Sequence, residues 1–464
     1  MPNVLKFQSI YTSRSVKAGR EAGFLSSSRE HDAWRIQTLE PAPSLPVIVE
    51  TKNVPIYLYT KLEEVEPEAL QQLIALAESP LPVGFVSAMP DVHLGKGATI
   101  GSVWASDKYI AASAVGVDIG CGMCAVPMQG LHKDDLSLDK MKRIQKIIKH
   151  LIPTGFNMHE QALPSAGAKL DEISQQHPPS RRLEQAMQQA RVKKQLSTLG
   201  GGNHFLEVVH DDEGMVWIML HSGSRNIGNT TALYYDKIAA EQLAAANIKP
   251  PSGLNYLAIE SADGQAYLQD MTWCQGYAAV NRQLMLERMI TAVNSVTGAQ
   301  PDNSRIINIH HNYCECERCS YKDPRTGEEV VDRPLYVTRK GATSARPGQL
   351  GIIPGSMGVG SYITRGIGEA RAWNSSSHGA GRLMSRTKAR ATIKQEDFEQ
   401  SMAGIVCDTD EAVRDEAPAA YKDLTTVMAN QRDLVEVVHK LQPLINVKGF
   451  DKPWGFKRRK GQRQ

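Results

Sequence analysis

The chain has 464 residues, of which 41% are hydrophobic and 22% are charged. This composition supports a large folded core and excludes a mainly disordered, collagen-like or coiled-coil protein. Lys and Arg number 53 against 50 Asp and Glu, which gives a formal net charge of +3. Any site for a polyanion must therefore be a local patch rather than the whole surface.

The distribution of residue types along the chain predicts its location and its domain organisation. No apolar run reaches the roughly 18 residues needed to cross a bilayer, so no membrane contact is expected. The N-terminus has basic residues without an apolar segment, which predicts a cytoplasmic protein with reduced thiols among its seven cysteines. Residues 1–50, rich in Ser and spaced Pro, are predicted to be an N-terminal extension. Residues 51–449 are predicted to form one globular domain, and residues 450–464 a basic C-terminal tail.

Apolar residues at helical spacing predict five helices. In chain order these are Glu63–Ser79, Leu136–Ile152, Ser180–Leu196, Thr231–Ala245 and Gln265–Val296. Pro67 suits the first turn of the first helix. The third helix is very polar and is expected on the surface.

Short apolar runs beside turn residues predict the strands His204–Val209, Met215–Leu220, Ile306–Ile309 and Leu335–Thr338. Residues 211–214 form the predicted hairpin turn between the first two. Helices and strands mix without a βαβ rhythm. The predicted fold class is therefore α+β, with mixed β-sheets and surrounding helices, rather than a doubly wound α/β fold.

Six short blocks concentrate Gly together with His, Cys and Asp. They are MPDVHLGKG (89–97), VDIGCGMC (117–124), LGGGNHFLE (199–207), LHSGSRNIG (220–228), NIHHNY (308–313), and GIIPGSMGVGS (351–361) followed by SSSHGAGR (375–382). The first block alone indicates only a polar turn. The other five suggest metal ligands and anion contacts.

The second and third blocks supply candidate ligands. Asp118 and Cys121 lie three residues apart between glycines and can converge on one ion. The CxxC pair of Cys121 and Cys124 is alternatively a redox motif or half of a zinc site, and Cys124 alone suits a buried structural cysteine. His204 stands where glycines meet a strand, a position that favours a ligand over a core histidine.

The double histidine is followed by three more cysteines. Adjacent side chains on a strand face opposite sides, so only one of His310 and His311 is expected to reach a given ion. Cys314, Cys316 and Cys319 follow at once and are candidates for a separate structural Zn²⁺ knuckle rather than for the catalytic metals.

Phosphate chemistry is indicated by the glycines and arginines. Gly200–Gly202 allow backbone N–H groups to approach a phosphate closely, and Arg225 suits bidentate phosphate binding. His378 stands in a Ser/Gly run that is expected to be exposed, shortly before Arg382 and Arg386. This position suits a nucleophile or an anion contact. Together the blocks predict metal-assisted phosphoryl or nucleotidyl transfer with Mn²⁺ or Zn²⁺.

The motifs VDIGCG, GGNHFLE, HSGSR, HHN, PGSMG, SHGAGR and a late VKG, in this order, resemble the RtcB family of RNA ligases. The resemblance covers residues 51–449, and MPDVHLGKG and YVTRKGATSAR are similar to its bacterial branch. It implies a single compact catalytic domain. It also implies a GTP- and manganese-dependent enzyme that joins RNA 2′,3′-cyclic phosphate or 3′-phosphate ends to 5′-hydroxyl ends, in tRNA splicing or RNA repair. The implied intermediates are a histidine–GMP adduct and an RNA 3′-pp-5′G end.

The resemblance also implies residue roles. Cys121 would bridge two Mn²⁺ ions, with Asp118 and His204 on one ion and His221 and His311 on the other. His378 would be the guanylylated nucleophile. The implied GTP-binding residues are Asn203, His204, Phe205, Leu206, Glu207, His311, Asn312, Pro354, Gly355, Ser356, Met357, Ser361, His378, Gly379, Ala380, Gly381, Tyr421 and Lys448. Arg225, Arg382 and Arg386 are the candidates for RNA phosphates.

Three features depart from the family pattern: the extension, the cysteine-rich segment after His311, and the tail beyond Lys448–Gly449. They favour a specialised repair enzyme over the housekeeping splicing form, and the dependence on an archease-type activator stays open. Two other functions are compatible with the same residues. One is a metal-dependent phosphohydrolase that needs no nucleotide. The other is a non-enzymatic RNA-binding module that uses a zinc knuckle and the basic tail.

Overall fold

The computed structural model describes Val4–Leu5 and residues 45–449. The basic tail 450–464 and most of the predicted extension lie outside the described residues. The short strand Val47–Val49 pairs with the main sheet although it falls inside the predicted extension. The three domain boundaries stay predictions.

Strands make up two large sheets and two small ribbons. The described strands are β1 (Val4–Leu5), β2 (Val47–Val49), β3 (Ile56–Leu58), β4 (Val83–His93), β5 (Ile100–Ser106), β6 (Tyr109–Ile110), β7 (Gly122–His132), β8 (Phe205–His210), β9 (Met215–Ser222), β10 (Leu257–Ala258), β11 (Gln300–Pro301), β12 (Ile307–His310), β13 (Asn312–Lys322), β14 (Glu329–Lys340), β15 (Ala342–Ser344), β16 (Leu350–Pro354), β17 (Ser361–Gly366), β18 (Ser375–Ser377) and β19 (Val435–Lys448).

Helices pack around these sheets. The described α-helices are α1 (Pro67–Glu78), α2 (Ala112–Val115), α3 (Leu138–Leu151), α4 (Ala166–Gln176), α5 (Arg181–Met187), α6 (Ala190–Lys194), α7 (Arg225–Ala245), α8 (Ala262–Thr297), α9 (Arg386–Thr392), α10 (Gln395–Ser401) and α11 (Leu424–Asn430). None of the helices in the described part of the chain has both the length and the apolarity that a bilayer crossing needs.

The first large sheet has the strand order β1-β2-β3-β4-β5-β14-β13, and the second has β11-β7-β9-β8-β19-β17-β16 with β12 also paired to β7. β1 pairs parallel with β2, and β3 with β4, whereas the other pairs are antiparallel. Mixed sheets with helices outside the βαβ pattern confirm the predicted α+β class.

The predicted helices are found with one correction and one extension. The first, second and fifth predictions correspond to α1, α3 and α8. Pro67 is the first residue of α1, and the Ser137 hydroxyl caps α3 by accepting from the Lys140 N–H. Ser180–Leu196 is not one helix, because the chain breaks at Gln188 and Gln189 between α5 and α6. Helix α7 begins at Arg225, six residues before its predicted start.

Helix α8 is the central support of the molecule. The Ser261 hydroxyl accepts a hydrogen bond from the Gly264 N–H at its start, and Gly298 ends it in the left-handed conformation with φ 78°. Its Met285 and Met289 pack in one core cluster with Cys124 and Val126 of β7. The helix thereby packs against one face of the second sheet.

The predicted zinc knuckle is wrong. Cys314, Cys316 and Cys319 lie on the single strand β13, whose side chains alternate between two faces. Cys314 packs in the core cluster around α8, Cys319 packs in the core cluster of the first sheet, and Cys316 is exposed. The three sulfurs therefore cannot meet on one ion.

The two buried thiols of this segment are expected to contribute to stability as small apolar groups. Because serine would bury a hydroxyl in their place, Cys314→Ser and Cys319→Ser should each lower the free energy of unfolding by about 1–3 kcal/mol. Cys316→Ser is the matched control and should leave it unchanged. Urea unfolding measures all three, with zinc analysis of the purified protein. Stoichiometric zinc lost only in these variants would contradict the assignment.

Candidate active site

The second sheet brings the predicted ligands together at the ends of its strands. Cys121 comes just before β7, His204 just before β8, and His221 lies near the end of β9. Strand pairing sets His221 opposite Met123 of β7 and Phe205 of β8. Residues far apart in the chain therefore meet at one edge.

Five side chains form a continuous series of contacts with Cys121 at its centre. The Cys121 Sγ lies 3.4 Å from His204 Nε2 and 3.2 Å from His221 Nε2. The Asp118 Oδ2 lies 2.9 Å from His204 Nε2. At the other end, His311 Nε2 lies 3.2 Å from His221 Nε2. The donor atoms of Cys121, His204 and His221 all lie within 4.8 Å of one another.

These residues fit a metal centre by chemistry as well as by distance. Thiolate, imidazole and carboxylate are the donors that bind Mn²⁺ or Zn²⁺ in proteins. Burial and neighbouring histidines hold the pKa values of His221 and His311 well below the usual range, which favours the neutral, metal-binding imidazole. Burial raises the pKa of the Cys121 thiol, so a bound cation is what would stabilise its thiolate.

Arg282 of α8 fixes the backbone beneath this cluster. It is fully buried and donates to the carbonyl oxygens of Gly120 (2.7 Å) and Ser222 (3.0 Å), next to Cys121 and His221. The His310 ring lies against the same guanidinium, 3.0 Å from it, and so points away from His311. The two adjacent histidines thus face opposite sides, as strand alternation predicts.

His378 is held by a buried carboxylate that the sequence did not identify. The Asp91 Oδ2 accepts from the His378 ring Nδ1 at 2.7 Å and from the backbone N–H groups of His378 and Gly379. Burial alone would raise the pKa of Asp91, but the charge and hydrogen bond of His378 outweigh it and lower that pKa. With its proton on Nδ1, the imidazole keeps the lone pair on Nε2, the form a nucleophile needs.

The surroundings of His378 differ from the exposed loop predicted for it. Ser375–Ser377 form the buried strand β18, which pairs with β15, and the His378 side chain is only 15% exposed. The histidine ring lies 4.8 Å from the ring of His311, centre to centre. The nucleophile candidate therefore stands directly beside the metal-ligand cluster.

A cavity of about 280 Å³ lies on one side of His378. The predicted GTP-binding residues that line it are Asn203, Phe205, Glu207, Pro354, Gly355, Ser356, Met357, His378, Gly379, Ala380, Gly381, Tyr421 and Lys448. Two buried atoms of residues that line this cavity, Ser356 Oγ and Asn446 Oδ1, have no hydrogen-bond partner among the described residues. Unpaired polar atoms of this kind favour a polar ligand in the cavity.

Five residues predicted to bind GTP are not among those lining this cavity: His204, Leu206, His311, Asn312 and Ser361. Leu206 is fully buried in the core, because its strand neighbours Phe205 and Glu207 take the cavity face. His204 and His311 belong to the ligand cluster, and Asn312 donates to the Asp118 carbonyl oxygen at 3.3 Å.

A second cavity of about 220 Å³ adjoins the cluster. Asp118, Cys121, His311 and His378 line it, together with Lys340. Burial and the nearby Lys96 lower the pKa of Lys340 to about 7. Asn203 and His378 line both cavities, an arrangement that suits two reactants meeting at one centre.

The three predicted phosphate-binding arginines all have partners within the protein. Arg382 and Arg386 line the first cavity and pair with Glu416, whose carboxylate also accepts from Lys448 Nζ at 2.7 Å. Arg225 is instead bound to the Thr198 hydroxyl and the Gly155 carbonyl oxygen. Contact of these arginines with RNA stays a prediction.

Sequence reasoning missed Asp91, Arg282, Glu416 and Asn446. Asp91 lies in the first glycine block, so the block itself was the available signal, but nothing in it pointed to a partner 287 residues away. Arg282 lies inside a helix and Asn446 inside a strand. Glu416 stands in a short acidic run that is usually a solvated surface. None of these three carried a distinguishing pattern.

Comparison with known proteins agrees with this site. Residues 72–449 match the family model described as tRNA-splicing ligase RtcB. The chain is 41% identical over 424 residues to the RNA-splicing ligase RtcB of Escherichia coli K12, covering 87% of this chain and 99% of that protein. It is 30% identical to the RNA-splicing ligase RtcB of Mycobacterium tuberculosis H37Rv, over 82% and 100% of the two chains.

An archaeal relative shows the same match at greater distance. The tRNA-splicing ligase RtcB of Archaeoglobus fulgidus is 29% identical over 474 residues, covering 86% of this chain and 95% of the relative. The family match spans both the ligand cluster and His378. The chain therefore belongs to the RtcB family of RNA-splicing ligases.

Proposed function

We propose that this protein is an RNA ligase that joins 2′,3′-cyclic phosphate or 3′-phosphate RNA ends to 5′-hydroxyl ends. A 2′,3′-cyclic phosphate end would first be hydrolysed to a 3′-phosphate. His378 would attack the GTP α-phosphate and release pyrophosphate. The GMP would then pass from His378 to the RNA 3′-phosphate, and attack by the 5′-hydroxyl would seal the strand and release GMP. The carrying observation is the position of His378, which is bound to Asp91, lines the first cavity and stands beside His311 of the ligand cluster.

The first cavity supports GTP as the occupant. Lys448, Arg382 and Arg386 supply positive charge for phosphates, while Glu416 fixes all three. Phe205 and Tyr421 give aromatic faces for a base. Burial raises the pKa of Glu207 to about 7, and its carboxyl accepts from the Asn446 amide at 2.6 Å. This pair offers polar groups to a purine edge.

Two Mn²⁺ ions are the proposed metals. Asp118, Cys121 and His204 would hold one, and Cys121, His221 and His311 the other. Bound there, they would neutralise phosphate charge. Arg282 would hold the backbone next to Cys121 and His221 in place. Asp91 would hold the His378 proton on Nδ1.

The partners and location are proposed on narrower grounds. The second cavity, with Lys340 beside the cluster, is where an RNA end can approach His378. All seven cysteines are free of disulfides, which supports a reducing, cytoplasmic location. A specialised repair role stays a prediction, and the dependence on an archease-type activator stays open.

Ligation of a 3′-phosphate RNA to a 5′-hydroxyl RNA tests the function. We expect joining only with both GTP and a divalent metal, with release of one GMP for each junction. Release of inorganic phosphate without GTP would instead support the phosphohydrolase alternative, which the family membership does not favour. RNA binding with no reaction would support the binding-module alternative.

Asp91→Asn should slow formation of the protein–GMP adduct by about 10²- to 10⁴-fold. An amide can donate to Nδ1, which moves the ring proton to Nε2 and removes the attacking lone pair, and the comparable change in a serine-protease triad costs about 10⁴. GTP affinity should stay within threefold. Quench-flow with α-labelled GTP measures the rate, and an adduct rate near the parent value would remove Asp91 from the mechanism.

A further inference from the structure

An exposed aromatic side chain stands in a rigid turn outside the active site. Phe156 follows α3 and is 68% exposed. Its turn is nevertheless well anchored, because the Gly155 N–H donates to the Gly200 carbonyl oxygen at 2.7 Å. Arg225 in turn donates to the Gly155 carbonyl oxygen at 3.3 Å. Hydrogen bonds to both backbone groups of Gly155 thus fix the turn that exposes the phenyl ring to solvent.

The anchor connects the Phe156 turn to a loop of the active site. Gly200 is the first of the three glycines that lead directly to Asn203, and Asn203 lines both cavities. Single exposed apolar residues are common on proteins, but this one stands in a turn that is hydrogen-bonded to the loop leading to Asn203.

A basic helix is joined to the segment that follows Phe156. The His159 N–H donates to the Lys194 carbonyl oxygen at 3.1 Å, which joins the segment after Phe156 to helix α6. That helix carries Arg191, Lys193 and Lys194 and no acidic residue. Arg191 and Lys193 are exposed. An aromatic face beside several cations is the combination that binds single-stranded nucleic acid through stacking and phosphate contacts.

We propose that Phe156 is a stacking platform for a nucleobase of the RNA strand that crosses the Gly200–Gly202 loop, and that Arg191, Lys193 and Lys194 hold the adjoining phosphates. This inference rests on the proposed RNA ligase activity and adds a contact outside the two cavities. The base is recognised by its flat face, so the platform accepts any sequence.

Three substitutions at Phe156 separate stacking from simple apolar contact. Phe156→Ala and Phe156→Leu should each weaken binding of a fluorescein-labelled 3′-phosphate RNA about tenfold, in the range found for base–aromatic stacking. Phe156→Tyr should keep the parent affinity. Protein–GMP formation from GTP alone should be the same in all three. Failure of the parent protein to form the adduct would reject the ligase function, whereas this proposal is judged on RNA affinity.

An RNA series identifies the stacked base. With abasic sites placed one at a time along the strand, one position should remove the difference between the parent protein and Phe156→Ala, because the partner of the ring is then absent. Lys193→Gln should lower the slope of log K against log salt by about 0.7 for a single-strand phosphate contact. Lys237→Gln on α7 is the matched surface control and should leave the slope unchanged.

Two outcomes would overturn the proposal. The first is a Phe156→Leu protein with parent affinity, or a Phe156→Tyr protein as weak as Phe156→Ala, because neither agrees with stacking. The second is a Phe156→Ala protein with parent RNA affinity, because the ring then makes no contact that contributes to RNA binding.

Discussion

His378→Ala is expected to abolish the protein–GMP adduct while leaving the metals and GTP bound. The five cluster ligands and the other residues that line the first cavity remain in this variant, and only the nucleophile is lost. It should fail to join RNA from a 3′-phosphate. It should still join RNA supplied with a pre-formed 3′-pp-5′G end, because the last step attacks that end without a histidine nucleophile.

Two assays with α-labelled GTP and with pre-activated RNA measure both halves of this expectation. His132→Ala is the matched control, because His132 lies at the far end of β7, is 45% exposed and pairs with Asp134. It should form a normal adduct. An acid-labile GMP adduct on the His378→Ala protein would transfer the role to another histidine, and His93, which also lines the first cavity, would be examined first.

Local sequence pattern predicted the helices better than the strands. Periodic apolar residues identify α1 and α3 because one face of each helix meets the core. Helix α8 packs against two core clusters, and its long series of apolar residues identifies it. Strands β4 and β5 were missed, since nearly all their residues are buried and no alternation remains to distinguish them from other apolar runs. The early start of α7 was missed because the Asn and Gly residues of its first turns are typical of a loop.

The sequence predicted those residues of the candidate site that are chemically reactive or metal-binding types and lie in short Gly-rich motifs. Cys121, His204, His221 and His311 lie together because each stands at or beside the end of a strand in one sheet, and their role as metal ligands stays a prediction. Supporting residues such as Asp91 and Arg282 act through contacts 287 and 162 residues apart. The spacing of neighbouring residues cannot predict contacts between residues so far apart in the chain. Conversely, the closely spaced cysteines of β13 suggested a contact that the strand geometry prevents.

Cys121→Ala should lose the bound metal pair and with it the protein–GMP adduct. The Cys121 sulfur is the central contact of the cluster, 3.4 Å from His204 Nε2 and 3.2 Å from His221 Nε2. An alanine methyl group offers no donor, so two imidazole groups are left without the shared anionic ligand that would bridge their ions. Metal analysis of the dialysed variant should therefore show fewer than two Mn²⁺ per chain, with adduct formation reduced at least about 10²-fold.

Cys124→Ala is the matched control for this loss. Cys124 lies three residues further along, fully buried in the core between the second sheet and α3. Its replacement removes a small apolar group and should cost about 1 kcal/mol of stability, while the metals and the adduct remain. Two bound Mn²⁺ and a normal adduct in Cys121→Ala would show that the histidines and Asp118 hold the ions without the sulfur. Metal loss in Cys124→Ala would show that a change in the packing of the second sheet is enough to empty the metal site. The metal loss in Cys121→Ala would then not identify Cys121 as a ligand.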